Sequence, residues 1–383
     1  MILETIKSPN SVGQWRLKSA GDCVLQRIGQ LGYSLFLGIQ TKVSSLLGEV
    51  SMGEQTPVRI GVLGCARIVP KAIIEPARRL PDVKVVAIAS RDRNRAERFA
   101  RRWNIPKVHN HYGDVLADPE IDAIYNPLPN ALHAEWSIRA LEAGKDVLCE
   151  KPIAANAAEA VKMAEVARST GRLLVEALHS RYHPLFARLK EIIQSGEIGN
   201  LEYVEGHLCV PAIFPDPVRY TYELGGGAVM DVGCYPIHLC RFLVGEEPEV
   251  TAVRMKLHNP QVDRWTEADL RFPSGVRGRI VCSLFSLVLL RSRAHIRGTD
   301  GRIDIFNPYA PQTVYHAVRI RGKNGRRTEK FPGLGTYDYQ LRAFVRAVRT
   351  RELLPTGPDD FIANMRVIDA IYRKAGLKLR GET

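Results

Sequence analysis

No stretch of the chain reaches the ~18 consecutive apolar residues that a membrane-crossing helix requires. The best candidate, Ile28 to Leu47, is broken by Gly, Ser, Gln and Lys. Cysteine is sparse and unpatterned: the seven, at 23, 65, 149, 209, 234, 240 and 282, include no CxxC pair and no His/Cys cluster at zinc-ligand spacing. The sequence therefore gives no sign of a disulfide framework or a metal site, and the thiols read as those of a reducing, cytoplasmic protein. No internal repeat is visible. Residues 1 to 51 lack the apolar core and small-residue cleavage site of a secretory signal.

What is present is a globular composition, with 45% hydrophobic and 25% charged residues over 383 positions. That length leads us to expect two domains. Basic residues outnumber acidic ones, 54 to 41, a net charge of +13, which favours anionic ligands through the long-range field. The run Arg91, Arg93, Arg95, Arg98, Arg101 and Arg102 reads as a solvated helix face, and no nucleic-acid recognition motif accompanies it. Neither a nucleic-acid nor a membrane partner is expected. Residues 1 to 51 read as an appendage, either a disordered leader or a misassigned start ahead of Met52, with an amphipathic surface helix as the alternative.

From Val58 the chain alternates β-branched runs with helical patterns. Strands are expected at Val58 to Leu63, Val83 to Ala89, Ile121 to Tyr125 and Asp146 to Cys149. This βαβ succession, with apolar strands such as Val85 to Ala89, specifies a doubly wound parallel sheet up to about residue 175. After Pro184 come one helix, Leu185 to Ser195, and strands of antiparallel type at Leu201 to Val210, Val250 to His258, Ala268 to Phe272 and Gly278 to Leu284. Two helices, Tyr337 to Arg351 and Pro358 to Lys378, close the chain. The expected division is 57 to 175 for a dinucleotide-binding domain and 176 to 383 for a substrate-binding domain.

Gly61 to Val69 stands where the first strand meets the first helix, the position at which backbone N–H groups hold a dinucleotide pyrophosphate. The strict G-x-G-x-x-G is absent: with its first glycine at Gly64, Ala66 and Val69 occupy the other two positions. At the end of the second strand, Ser90 and Arg91 replace the acid that would bind a ribose 2′-hydroxyl. A hydroxyl and a guanidinium suit a 2′-phosphate, favouring NADP over NAD; the alternative is that Arg91 merely begins the solvated arginine run. Glu150-Lys151-Pro152 ends the fifth strand, at the sheet edge where open α/β sheets place ligands, and an ammonium there can stabilise developing negative charge. In the glycine-rich segment 225 to 238, Asp231 and Tyr235 share a face if the segment is helical. Tyr235 is a candidate proton donor with Lys151 as the assisting cation, and His238 is the rival acid.

Together these segments resemble the Gfo/Idh/MocA oxidoreductase family. The resemblance covers about residues 57 to 380 and rests on GVLGCARI, ASR at 89 to 91, YNPLPNALHAEW from Tyr125, EKP at 150, EALHSRYHP from Glu176, GGGAVMDVGCYPIH at 225 and RGTDGRIDI at 297. It is closest to the sugar 3-ketoreductase, dihydrodiol dehydrogenase and aldose 1-dehydrogenase group. The resemblance implies an N-terminal Rossmann domain, an α+β C-terminal domain with an open-faced, mostly antiparallel sheet, and self-association through that sheet. It places Gly64, Ala66, Arg67 and Ile68 at the pyrophosphate, Leu128, Asn130, His133 and Glu150 near the cofactor, Lys151 and Tyr235 at the chemistry, and Asp231, His238 and Arg181 toward the substrate. The expected activity is hydride transfer between NADP and a carbonyl or secondary alcohol of a sugar, sugar derivative or cyclic polyol. The alternatives are a dihydrodiol dehydrogenase and a non-turnover cofactor-binding sensor. Ala177-Leu178-His179-Ser180 departs from the family's aromatic stretch and leaves the substrate open.

Overall fold

A computed structural model describes residues 56–211, 217–285, 290–313 and 315–382. The expectations for residues 1 to 51 lie outside them. Six parallel strands, β1 (Val58–Leu63), β2 (Val83–Ala89), β3 (Lys107–His109), β4 (Ala123–Asn126), β5 (Asp146–Cys149) and β6 (Leu174–Glu176), pair in the order β3-β2-β1-β4-β5-β6. This is the doubly wound order, whose reversal between β1 and β4 opens a ligand crevice at the carboxyl ends of the strands.

The strands are apolar on both sides because both sides are covered. Ile60, Val62, Ile88, Tyr125, Leu148 and Val175 enter one buried cluster. Leu63, Ala87, Ala89, Ile124, Val147, Cys149 and Leu174 enter another. The first face packs on a π-turn (Pro70–Ile74) that runs into α1 (Glu75–Arg78), and on α2 (Arg93–Trp103). The second carries α3 (Tyr112–Ala117), α4 (His133–Glu142) and α5 (Ala157–Thr170).

Beyond β6 follow α6 (Pro184–Gln194), β7 (Leu201–Cys209), the short α7 (Pro217–Tyr220), and α8 (Cys234–Val244), which a π-turn (Val229–Gly233) introduces. Strands β8 (Glu249–Asn259), β9 (Val262–Arg271), β10 (Arg277–Ser283), β11 (Arg291–Gly298), β12 (Arg302–Phe306), β13 (Ala317–Gly322) and β14 (Gly325–Glu329) join β7 in an eight-stranded sheet of order β14-β13-β12-β11-β7-β10-β9-β8. All its pairs are antiparallel except β7 with β10. Val204, Ile280, Ile296, Ile303 and Val318 bury one face. The other is open and holds a shallow depression lined by His207, Arg293, His295, Arg302, Asp304 and Arg319.

Helices α9 (Thr336–Thr350) and α10 (Pro358–Lys374) follow the second sheet. Tyr337, Leu341, Phe344 and Val345 of α9 join the first cluster, with α9 lying against the π-turn and α1. Arg351 clamps Asp146 of β5 at 2.7 and 2.9 Å. Thr56 to Thr383 form one compact unit.

Some boundaries differ from those expected. The strand expected at Ile121 begins at Ala123, because Ile121 N closes a turn on Asp118 O and the Asp122 carboxylate takes the backbone N–H and guanidinium of Arg59. The last helix stops at Lys374, not Lys378: Gly376 takes a left-handed φ of +73° and Leu377 N bonds back to Tyr372 O, a glycine-terminated helix end.

Candidate active site

Three chain segments meet at the centre of the site. The first is the turn after β5, in which Glu150 is buried and accepts Tyr125 Oη–H at 2.7 Å while Lys151 projects toward α8. The second is the π-turn and α8. The expectation that Asp231 and Tyr235 lie one α-helical turn apart is modified here, since the turn holding Asp231 is wider. Pro236 has no N–H to offer the carbonyls one turn back, so they are open to other donors. Lys151 Nζ takes the Asp231 carbonyl at 2.7 Å and its Oδ1 at 3.1 Å. Arg219 Nε lies 3.4 Å from Asp231 Oδ2.

Burial opposes the charge on Lys151, but the fields of Asp231, Cys234 and Glu150 outweigh it and hold the ammonium above its ordinary pKa. Burial likewise opposes the Asp231 anion, and the cations Lys151 and Arg219 win, keeping it below the usual carboxylate range. The two form an ion pair at the edge of the Rossmann sheet. Lys151 Nζ also stands 5.4 Å from the centroid of the Tyr235 ring, within cation–π range. Burial pushes the Tyr235 phenol well above its ordinary value, so it is protonated at neutral pH.

The third segment is the turn after β6, where Glu176 is fully buried and accepts Ile153 N at 2.9 Å. Burial first, and repulsion from Asp360 second, raise Glu176 to about 8. Three residues on, His179 Nε2 lies 3.0 Å from Tyr235 Oη. Sequence reasoning did not assign His179 a role; its only signal was the departure from the family pattern at that stretch.

Other candidates lie further from this centre. His238 is buried, pairs with Asp360 at 3.4 Å and packs near Phe186 and Phe242. Arg181 lies 4.0 Å over the Phe242 ring, and burial lowers its pKa. Neither has a polar contact with Lys151, Tyr235 or Asp231 among the described residues. His133 is wholly buried with its ring nitrogens 2.9 Å from Pro152 O and 2.7 Å from Leu128 O, tying the two loops together. Burial pulls it down to about 4, although both carbonyls favour its cation. Asn130 Nδ2 donates to Gly225 O at 2.9 Å, joining its loop to the glycine-rich turn.

At the end of β1, Gly64 takes a φ of +91° and donates to Ala89 O at 2.7 Å, with Leu128 close beside it. The backbone N–H groups of Cys65, Ala66, Arg67 and Ile68 meet no acceptor within the described residues. Four unpaired donors at a strand-to-helix junction fit a pyrophosphate, with Ala66 in place of a glycine. Beyond β2, Ser90 is buried and Arg91 exposed. The nearest acid, Asp92, is used as the cap of α2, accepting Arg95 N at 3.0 Å. No carboxylate is thus positioned at the end of β2 for a ribose diol. Among the described residues no three His, Cys, Asp or Glu side chains gather to hold a metal ion, and no helix is long and apolar enough to cross a membrane.

A doubly wound sheet with a glycine turn at its first crossover is the architecture of dinucleotide-binding proteins, and a Lys–Asp–Tyr cluster stands at its carboxyl edge. Comparison with known proteins agrees. Residues 58–178 match the Gfo/Idh/MocA oxidoreductase model with its NAD-binding Rossmann fold, and residues 186–304 match the Gfo/Idh/MocA C-terminal domain. The chain belongs to the Gfo/Idh/MocA oxidoreductase family. It is 35% identical over 319 residues to a D-xylose 1-dehydrogenase (NADP(+)) of Haloferax volcanii, covering 82% of this chain and 96% of that one. It is 34% identical over 306 residues to a dTDP-3,4-didehydro-2,6-dideoxy-alpha-D-glucose 3-reductase of Saccharopolyspora spinosa, covering 79% and 90%. The crystal structure of a 3-ketoreductase from Actinomadura kijaniata in complex with NADP and TDP-benzene superimposes with a TM-score of 0.77 at 30% identity, over 83% of this chain and 98% of that one.

Proposed function

We propose that this protein is an NADP-dependent oxidoreductase that acts on a carbonyl or secondary alcohol of a sugar, sugar derivative or cyclic polyol. The single observation that carries the reading is the Lys151 ammonium, paired with Asp231, set against the ring of Tyr235 at the carboxyl edge of the Rossmann sheet. The cofactor supplies or accepts the hydride; the chain supplies orientation and proton handling. Tyr235 gives its proton to the oxygen of the reduced carbon, and takes it back in oxidation. Lys151 holds the Asp231 turn in place and contributes positive charge to the site as the oxyanion develops. Ser90 and Arg91 bind the 2′-phosphate, and the N–H groups of 65 to 68 bind the pyrophosphate. The relatives act on a free aldose and on nucleotide-linked keto-sugars, so the substrate class stays at this breadth. The open face of the second sheet, with Phe306 and Tyr315 exposed on it, is the surface of self-association in the same reading.

The test is a panel of free aldoses, nucleotide-linked keto-sugars and dihydrodiols, followed by nicotinamide absorbance, in wild type, Tyr235→Phe and Lys151→Ala. Turnover in one class is expected, with kcat lowered by ~10² to 10⁴ in each variant, the range for positioned acid–base groups. Tight NADP binding without turnover anywhere on the panel would replace this reading with that of a cofactor-binding sensor.

A further inference from the structure

The hydrogen bonds around His179 bear on which ring nitrogen carries its proton. Gln312 Nε2 donates to Thr336 Oγ at 2.8 Å, and Thr336 Oγ lies 2.8 Å from His179 Nδ1. Since Gln312 supplies a donor, the one hydroxyl proton of Thr336 has a single remaining acceptor among its partners, the Nδ1 lone pair. Thr336 is wholly buried, with no other acceptor for its proton among the described residues, whereas Tyr235 is slightly open, so the hydroxyl proton is assigned to Nδ1 and the ring proton to Nε2. That N–H points at Tyr235 Oη, 3.0 Å away. The chain of donors runs in one direction, Gln312 to Thr336 to His179 to Tyr235, from an exposed side chain to the buried phenol.

We infer that His179 is the positioning residue of Tyr235: its Nε2–H orients the phenol as a donor toward the cleft and stabilises the phenolate left after proton transfer. This rests on the reading of Tyr235 as the proton donor. The oxygen of Tyr235 is occupied as an acceptor, so its own proton has no acceptor in the described protein and is available to a substrate oxygen. The role complements that of Lys151, whose Nζ is bonded to Asp231 rather than to the phenol oxygen. The ring of Tyr337 lies 4.0 Å from that of His179 and fixes its plane.

The charged and titratable groups facing this pair are Lys151 after β5, Lys71 in the turn after β1, Tyr337 of α9, and Glu150, Asp231, Cys234 and Tyr309 around Tyr235. Burial, reinforced by Lys151 and Lys71, holds His179 down to about 3. The imidazole thus stays neutral and keeps its direction throughout the working pH range.

Three variants and one spectrum test the inference. His179→Phe keeps a ring against Tyr337 and removes the N–H. It is expected to lower kcat by ~10- to 100-fold, one hydrogen bond to a charged group, with substrate KM and NADP affinity unchanged. Because the lost N–H stabilised the phenolate, the alkaline limb of the reduction profile should move to higher pH. His179→Gln, whose amide can donate, should restore part of both. Gln312→Glu, at an exposed position, turns the terminal donor into an acceptor and reverses the chain, so it should lower kcat without altering the fold. In wild type without cofactor, 15N-histidine correlation spectra, with His179 assigned by its loss in His179→Phe, should show the proton on Nε2. A proton on Nδ1, or an alkaline limb unmoved in a folded, NADP-binding His179→Phe, overturns the inference. If Tyr235→Phe retains wild-type kcat, the proposed function itself loses its donor; if Tyr235→Phe is impaired while His179→Phe and Gln312→Glu are not, only the role of His179 falls.

Discussion

Arg380 and Asp263 meet at 3.2 Å with neither side chain exposed to solvent. Around them Asp263 also accepts from Tyr372 Oη, Thr266 Oγ1 and Val229 N, while Arg380 Nε donates to Gly226 O at 2.8 Å. The pair therefore anchors both sides of Gly227, whose φ of +139° and close approach to Asp263 leave no room for a side chain. This is the stretch that delivers Asp231 to Lys151.

Asp263→Asn should leave the Arg380 charge buried without its counter-ion. A loss of ~3 to 5 kcal/mol is expected, the range for breaking one side of a buried pair. Chemical denaturation measures it, and the slope of the transition should stay the same. A variant as stable as wild type would show that Arg380 relies on its stack against Tyr372, 3.9 Å away, rather than on the carboxylate.

Arg91→Ala should erase a preference for NADP over NAD. The guanidinium is exposed beyond β2, and one charge-assisted bond to a 2′-phosphate corresponds to roughly ten- to hundredfold in affinity. Dissociation constants for the two cofactors, titrated with both proteins, check this. Equal affinities in wild type would return Arg91 to the solvated face of α2.

Glu176 links stability to pH with a definite sign. Its folded pKa, about 8, exceeds the ordinary carboxyl value of 4.5, so the native state keeps a proton that the unfolded chain has already released. Stability from this group is complete below about pH 4.5 and declines as pH rises to about 8. Glu176→Gln mimics the protonated acid and retains an oxygen for Ile153 N. Its melting temperature should rise relative to wild type at pH 8 and differ little at pH 4.5. A constant offset across that interval would assign the titration elsewhere, Asp369 at about 6 and Glu150, also raised by burial, being other buried carboxyls.

The Rossmann half was legible in the sequence because strands buried on both faces are nearly continuous apolar runs, as at Val58 to Leu63 and Val83 to Ala89. Shorter strands escaped: β3 and β6 have three residues each, too few to show a period. In the second sheet, β11 alternates Arg291, Arg293, His295 and Arg297 on one face with Ala294 and Ile296 on the other, a half-buried pattern masked by its charge. At the site, Lys151, Asp231 and Tyr235 could be picked out from residue type and position. Their bonding could not, since Lys151 reaches a carbonyl that is open only because Pro236 follows a π-turn. The partners of His179 come from α8 and α9, 56 and 157 residues away along the chain. His238 shows the converse: its spacing put it beside Tyr235, but the helix turns it toward Asp360.

Leu341, Phe344 and Val345 of α9 belong to the same buried cluster as Ile60, Val62 and Leu148, so the dinucleotide-binding half draws part of its core from a helix made long after it. During synthesis the π-turn, α1 and α2 cover part of that side early, and the cluster stays incomplete until α9 is made. Cut out by itself, the segment through β6 would display an apolar surface and self-associate. Any graft of this nucleotide site onto another protein must therefore carry α9 with it.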